Sequence, residues 1–490
     1  MTQQLRIRTK LAYGMGDIYG GGATTLISMY YLYYLTDVLQ IQPAVAGTAF
    51  LISKIWDAVT DPVMGIISDN TRTRFGRRRP YFLAGIFLIF ISFVLMWAPV
   101  RIQREGLRFL YVLMTYLFFS TVYTIVWVPY NSISTELTSD YDERTRLAKW
   151  RMIFSNISGI LAGTLGKDLF VDTLNKDDPA RGFFLMAIVF GLLFAVPYIF
   201  TFLWCREDPA FMEAEKHPLG NLKDFIRDHF TEPLKLRPFR LVVYMFLFGF
   251  MAQDAVLALA VYFMTYYLGI TSMMTLLVPV YVSMLLAIPL VEFVAHRKGK
   301  RETYLISAGL WLAAFTLVPF MSPEMPLWLI YLFGALFGAA AAGIQVVVFA
   351  MFPDIPDADD LFSEQRREGL FSGIFSLLRK SGGALVMFFL GNSIGWAGYR
   401  PPITESIEGV LKAVPQEQSP QFLQALLLIF MIIPNLFIFF AMLSCWHYPI
   451  TRSVHDRLRD YLRNRYGIRS EELEREEQDL KRILGGKVYE

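Results

Sequence analysis

Lys54-Ile55-Trp56-Asp57-Ala58-Val59-Thr60-Asp61-Pro62-Val63-Met64-Gly65-Ile66-Ile67-Ser68-Asp69-Asn70-Thr71-Arg72-Thr73-Arg74-Phe75-Gly76-Arg77-Arg78-Arg79 ends an apolar run that starts near residue 43. About 20 apolar residues carry a helix across a bilayer core, and residues 43–68 are long enough. The run closes in a basic turn with a glycine inside it, so the chain leaves the membrane there and turns back. Within the run sit Lys54, Asp57 and Asp61, spaced three and four residues apart. On a helix those spacings share one face. Ionisable groups at membrane depth are costly and carry function by default. That face must look away from lipid.

Runs of the same kind recur on both sides. They cover roughly 11–36, 81–100, 108–135, 152–172 and 183–205, then 238–268, 272–296, 303–321, 326–351, 370–397 and 421–446. The expected fold is therefore an all-α polytopic membrane protein of about twelve transmembrane helices in two groups of six. Composition agrees. Of 490 residues 54% are apolar and only 18% charged, where soluble proteins carry about 25% charged residues. A net charge of +3 gives no basic field for nucleic acid. Cys205 and Cys445 stand alone, with no metal-ligand or disulfide spacing. No nucleophile–base arrangement or phosphate loop is present, so an enzyme is not expected. The first apolar run lacks a small-residue cleavage site and reads as a span, not a leader.

The polar stretch 206–240 divides the chain into an N-terminal six-helix bundle (1–205) and a C-terminal one (241–450), followed by a charged tail (451–490). The connection and tail are expected to be cytoplasmic. Leu458, Leu462, Leu473, Leu480 and Leu484 predict an amphipathic helix or helix pair in the tail. Basic loops after spans two (Arg72, Arg74, Arg77–Arg79), four (Arg144, Arg146, Lys149, Arg151) and eight (Arg297, Lys298, Lys300, Arg301) fall on one side, so both termini are expected in the cytoplasm. The halves echo each other. Tyr33-Tyr34-Leu35 closes span one and Tyr266-Tyr267-Leu268 closes span seven. Gly76 and Gly299 each sit in a basic turn. A duplicated six-helix unit is the parallel-repeat plan of the major facilitator superfamily. The pattern Gly65, Asp69, Arg74, Gly76, Arg77, Arg78 resembles that superfamily's gating loop.

Two carboxylates and one ammonium in span two sum to one negative charge. Such a site suits one monovalent cation, Na⁺ or H⁺, with oxygen ligands that Thr60 and Thr124 would extend. The competing reading is a Lys54–Asp57 ion pair that only locks helices. Asp17, among Gly14, Gly16 and Gly20–Gly22, is either a substrate ligand or a packing partner. Arg379 and Lys380 lie inside span eleven. Trp127, followed by Pro129 and Asn131, offers a face on which a sugar would stack; Trp56 offers another.

Ile55-Trp56-Asp57-Ala58-Val59-Thr60-Asp61-Pro62-Val63-Met64-Gly65 resembles the span-two signature of the glycoside–pentoside–hexuronide:cation symporters, the melibiose permease group. So do Lys10 to Gly16 leading to Tyr33-Tyr34-Leu35-Thr36-Asp37, Tyr123-Thr124-Ile125 with Val128-Pro129-Tyr130, Asp142-Glu143-Arg144, Arg367-Glu368-Gly369 and Lys380-Ser381-Gly382-Gly383. The resemblance runs from about Lys10 to Pro449. It implies a major facilitator fold, no cofactor, and coupled uptake of a glycoside with Na⁺, Li⁺ or H⁺. It implies that Asp57 and Asp61 hold the cation, that Thr124 supplies a hydroxyl beside it, that Lys54 balances charge, and that Lys380 is the family's span-eleven lysine. Thr60 stands where melibiose permease has Asn. The positions that supply two sugar-binding carboxylates there are Gly21 and Trp127 here, and Asn131 replaces a tryptophan.

A galactoside bound in the same manner is therefore not expected. Asp17 would supply a displaced carboxylate. Alternatively, the surplus of base from Arg151, Arg379 and Lys380 would favour an anionic sugar such as a hexuronide instead. The leading expectation is a monomeric symporter in a bacterial plasma membrane. Alternatives are the same fold carrying an amphiphile such as a lysolipid, or a non-transporting sensor or scaffold using the tail.

Overall fold

A computed structural model describes residues 5–100, 102–138, 141–207, 232–352, 354–363, 368–407, 410–414, 416–464 and 471–485. The chain is a succession of long helices: α1 (Ile7–Leu26), α2 (Pro43–Asn70), α3 (Arg79–Met96), α4 (Glu105–Leu137), α5 (Tyr141–Lys167), α6 (Pro179–Ala195), α7 (Pro197–Trp204), α8 (Arg237–Tyr262), α9 (Met274–Lys298), α10 (Lys300–Phe315), α11 (Trp328–Met351), α12 (Asp354–Ser363), α13 (Glu368–Trp396) and α14 (Pro420–Trp446). Helices α15 (Arg452–Asn464) and α16 (Glu471–Gly485) form the tail. A short antiparallel hairpin, β1 (Ile403–Ile407) and β2 (Val410–Val414), stands before α14, in the polar segment between spans eleven and twelve.

Among the described residues, eight helical segments are long and apolar enough to cross a membrane by composition; α6 and α7 together make one of them. The remaining long helices are α1, α2, α5 and α13. These are the helices that carry Asp17, the Lys54/Asp57/Asp61 group, Arg151 and Arg379 in mid-course. Most of the charge at depth thus lies on these four helices, and Asp254 on α8 is the partner of Arg379. The two tyrosine-rich span ends have the same local form. α1 continues into π-helical turns at Ile27–Tyr31 and Tyr34–Val38, and α8 into one at Phe263–Tyr267. π turns gather where a helix is bent for function.

The chain packs as two compact units. The first comprises Met1–Leu219, Leu257–Met274 and Ala384–Leu426. Within it α1 lies close against α5, because a Cβ on Gly21 would strike the Ser155 carbonyl and one on Gly14 the Trp150 carbonyl. Small residues give helices in lipid their packing contact. Aromatic rings fill the rest. Trp97 stacks on Phe183 at 5.6 Å, and Tyr31 meets Trp97 edge-on at 5.1 Å. The second unit comprises Gly220–Val256, Thr275–Gly383 and Leu427–Glu490. There α10 and α11 pack through Trp311 and Phe337, whose ring centroids lie 4.6 Å apart. The tail is a docked helix pair: Val454, Leu458, Tyr461, Leu480 and Leu484 are buried. Lys300 bonds Asp354 at 2.7 Å, and His455 of α15 lies 3.4 Å from the same carboxylate. Burial raises the Asp354 carboxyl above the usual range, against the pull of Lys300 and His455.

Candidate functional site

Three polar constellations of the first unit lie on or beside α4. The first joins α2 to α4. Asp57 and Asp61 are one turn apart on α2; Ser120 and Thr124 are one turn apart on α4. The hydroxyls pair with the carboxylates in register: Ser120 Oγ donates to Asp57 Oδ1, and Thr124 Oγ1 donates to Asp61 Oδ1 at 2.6 Å. Lys54 Nζ donates to Asp57 Oδ2 at 2.7 Å. Asp57 is only 3% exposed. Four oxygen-bearing side chains from two facing helices therefore stand together. The Thr60 hydroxyl turns back onto the Trp56 carbonyl at 3.1 Å and makes no bond to either carboxylate. Trp56 is 45% exposed, and its Nε1 donates to Thr121 Oγ1 at 2.9 Å.

The second constellation joins α1, α4 and α5. Arg151 Nε donates to Asp17 Oδ2 at 3.1 Å. The guanidinium lies over the Trp127 ring at 4.9 Å and near the Tyr130 ring at 5.3 Å. Tyr130 in turn stacks on Tyr13 at 5.0 Å and donates to the Tyr13 carbonyl at 2.6 Å. Among the described residues, Asp17 Oδ1 is buried and accepts no hydrogen bond. A buried unpaired carboxylate oxygen is an acceptor waiting for a donor. Gly20 lets Trp127 and the Asp17 carboxylate pack against the backbone of α1: a Cβ there would strike both. Gly21 faces Ser155 and serves the close approach of α1 to α5. Asn131 follows Trp127 by one turn of α4 and is part-buried.

These two constellations share a helix face. Ser120, Thr124, Trp127 and Asn131 stand at i, i+4, i+7 and i+11 of α4, the spacing of one stripe. Tyr123 stacks on Trp127 at 5.2 Å. Any shift of α4 is felt by both. Ser120 and the Asp17–Arg151 pairing escaped the sequence reading. The matched one-turn spacings of Asp57/Asp61 and Ser120/Thr124 were the available signal for Ser120. Nothing in sequence joins positions 17 and 151.

The third constellation is the basic turn after α2. Gly76 has φ of +113°, which a side chain rarely adopts, and a Cβ there would strike Glu207. The Glu207 carboxylate accepts from the backbone N–H groups of Arg77, Arg78 and Arg79 at 2.5, 2.6 and 3.1 Å. Arg78 bonds Asp69, and its Nε donates to Glu136 at 3.0 Å; Arg77 reaches both carboxylates at 3.2 Å. Asp69, Gly76, Arg77 and Arg78 thus meet at the end of α4. Burial raises the Glu136 carboxyl, and the two arginines pull it down. Arg74 is exposed, over its neighbour Phe75 at 4.7 Å. Gly65 faces Val128 across α2 and α4, with open space for a Cβ.

In the second unit, Arg379 of α13 grips Asp254 of α8 through both oxygens, at 2.5 and 2.9 Å, and Gln253 accepts from Gln345 at 2.6 Å. Lys380 lies on α13; its side chain falls outside the described residues.

A long-helix membrane fold with buried charge on facing helices defines a transporter of the major facilitator type, not an enzyme. The MFS/sugar transport protein family matches residues 12–452, and the chain belongs to it. That agrees with the resemblance to the glycoside–pentoside–hexuronide:cation symporters. The chain is 26% identical to an uncharacterized symporter of Synechocystis sp., over 94% of this chain and 98% of that one. It is 27% identical to the glucuronide carrier protein homolog of Escherichia coli, over 92% and 94%. The inward open xylose transporter of Escherichia coli superposes with a TM-score of 0.59 at 14% identity, covering 90% of this chain and 96% of that one.

Proposed function

We propose that this protein is a cation-coupled symporter of a glycoside bearing a carboxylate, working by alternating access in a bacterial plasma membrane. The observation that carries it is the doubled hydroxyl–carboxylate pair between α2 and α4. Lys54 pairs with Asp57, and the two carboxylates and one ammonium carried by α2 sum to one negative charge, which suits a monovalent cation. Without an ion the Ser120 and Thr124 hydroxyls donate to the carboxylates. When Na⁺ enters, both hydroxyls rotate so that lone pairs face the metal. A proton would instead settle on one carboxylate. Na⁺ suits the four-oxygen set better.

The substrate site is Asp17, Trp127, Asn131 and Arg151 of the first unit. The sugar face stacks on Trp127. A sugar hydroxyl donates to Asp17 Oδ1. The guanidinium edge of Arg151 not used by Asp17 binds a substrate carboxylate, a fork-to-fork contact suited to arginine. The glucuronide carrier name of one relative points the same way. Because both sites hang on one face of α4, filling one changes the cost of filling the other, and the coupling is reciprocal. Two six-helix bundles, 1–205 and 241–450, rock about these sites with both termini cytoplasmic. The turn of Gly65, Asp69, Arg74, Gly76, Arg77 and Arg78 closes and opens one entrance. One chain suffices.

The test is uptake into proteoliposomes of labelled glycosides, hexuronides and lysolipids, with and without a Na⁺ or H⁺ gradient. Gradient-driven accumulation of hexuronides is expected. Accumulation of every class without regard to the gradient would sink the reading; accumulation of lysolipid alone would replace the cargo.

A further inference from the structure

The transport sites do not use a second concave surface, at the far end of the first unit. It lies between the start of α1, the last turn of α4 and the end of α7. Arg6, Arg8 and Arg206 line it together with Leu137, Leu203 and Trp204, around a cavity of about 420 Å³. That volume is within the range of ligand pockets, about 300–1,000 Å³. All three arginines are exposed. Among the described residues none of their guanidinium groups makes a hydrogen bond or ion pair. The nearby carboxylates are already engaged. Glu143 accepts from Lys10 at 3.0 Å, from Arg146 at 2.8 Å and from the Leu5 amide at 3.2 Å. Hydrogen bonding to Lys10 holds the Glu143 carboxyl below its usual range. Glu207 is bound by the three backbone amides of the basic turn.

Among the described residues the local balance is positive, and α1 adds to it. Its first turn has no side-chain cap and no acidic residue, so its free N–H groups and dipole also favour an anion. The walls are rigid. Thr201 Oγ1 donates to the Ala12 carbonyl at 2.9 Å, and Thr9 Oγ1 donates to the Trp204 carbonyl at 3.4 Å. These bonds fix α7 against α1.

The outer rim is apolar and open. Ile7, Leu203 and Trp204 are 60%, 45% and 38% exposed, on the same helix ends as the arginines. Phe200 and Trp204 stack at 5.3 Å. Tryptophan at a helix end marks the level of the lipid headgroups. A cationic pocket beside an exposed apolar wall at that depth matches one molecule with an anionic head and acyl chains. We infer that this pocket binds an anionic phospholipid of the adjoining leaflet. Its phosphate lies among Arg6, Arg8 and Arg206, and its chains lie along Leu203, Trp204 and Ile7. A free phosphate or nucleotide would use the arginines and leave the apolar wall unmatched.

Native mass spectrometry of the purified full chain tests this, with phosphatidylglycerol and phosphatidylcholine supplied in equal amounts. The wild-type protein should retain phosphatidylglycerol over phosphatidylcholine by on the order of tenfold. The triple variant Arg6→Gln/Arg8→Gln/Arg206→Gln should lose that preference, and Arg6→Lys/Arg8→Lys/Arg206→Lys should keep most of it. A control removing three exposed cations elsewhere, Arg297→Gln/Lys298→Gln/Arg482→Gln, should leave it unchanged. Equal retention of both lipids, or a preference that survives the first variant, overturns the assignment. So does displacement of the lipid by millimolar inorganic phosphate, which would make the pocket a site for free phosphate. All substituted side chains are exposed, so these variants should fold.

Discussion

Two ionic clusters at membrane depth invite comparison: Lys54/Asp57/Asp61 on α2 and Asp254/Arg379 between α8 and α13. Both are carboxylate–cation arrangements in apolar helices. They differ in balance and closure. Arg379 forks onto both oxygens of Asp254, so that pair is neutral with its acceptor atoms occupied. On α2 one ammonium faces two carboxylates, and the partners of those carboxylates include hydroxyls, which reorient at little cost. A closed neutral pair has nothing left to bind. An unbalanced set met by rotatable donors can exchange them for an ion. The Asp17–Arg151 pair lies between these cases. It is neutral, yet single-pronged, and among the described residues it leaves Asp17 Oδ1 buried and unpaired.

If the distinction holds, the largest effect belongs to the unbalanced set. Asp57→Asn and Asp61→Asn should each lower gradient-driven accumulation in proteoliposomes by roughly 100-fold, about the upper range of coupling free energies. Full gradient-driven uptake in both variants would reduce Asp57 and Asp61 to helix locks and erase the contrast with Asp254.

The closed pair should fail differently. Asp254→Asn leaves Arg379 without its counter-charge and should cost about 1–3 kcal/mol of stability, read as a lower unfolding temperature in detergent. Since Arg379 is partly exposed, the lower end is expected. The ratio of uptake with and without the cation gradient should stay as in wild type. The double variant Asp254→Leu/Arg379→Met should recover the lost stability, because replacing both members of a buried pair is often neutral. A cation dependence that changed with Asp254→Asn would place this pair among the coupling residues.

The intermediate case predicts a smaller, substrate-side effect. Arg151→Lys keeps the charge but loses the planar fork and much of the contact with Trp127. Affinity for a hexuronide should fall about tenfold in equilibrium binding, as should that of Trp127→Ala, given cation–π and stacking terms of about 1 kcal/mol each. A neutral glycoside should be hurt less by Arg151→Lys than by Trp127→Ala. Equal losses for neutral and anionic sugars would remove the carboxylate from the proposed substrate.

The residues legible in the sequence were those whose physics is local. Asp57 and Asp61 announce themselves because charges one turn apart inside an apolar run cannot face lipid. Gly76 does so because a basic turn closing a span needs a tight backbone. The tail pair followed from Leu458, Leu480 and Leu484, which the structure buries. What stayed hidden was tertiary. Arg151 reaches Asp17 across a gap of 134 residues, and no periodicity records such a pairing. Glu136 and Glu207, which hold the basic turn, looked like ordinary helix-end and loop acids. Thr60 stood on the correct turn of α2, yet its hydroxyl found the Trp56 carbonyl first, as threonine in an apolar helix often does.

Ser120 was equally hidden, since a hydroxyl in a span is commonplace, and it gives the finest test of the comparison. Its hydroxyl donates to Asp57 in the empty site. Its lone pair would face Na⁺ in the filled one. Ser120→Ala removes both contributions, a net effect of about 1 kcal/mol. With Na⁺ as coupling ion, the half-saturating Na⁺ concentration should rise about fivefold while maximal uptake is kept, because Asp57, Asp61 and Thr124 remain. With H⁺ as coupling ion the effect would fall on the pH dependence of uptake instead, and the Na⁺ response would stay as in wild type. Measuring uptake against Na⁺ at fixed pH, and against pH without Na⁺, separates the two. A variant unchanged on both axes would leave Ser120 a bystander and return the carboxylate pair to the status of the closed cluster on α8.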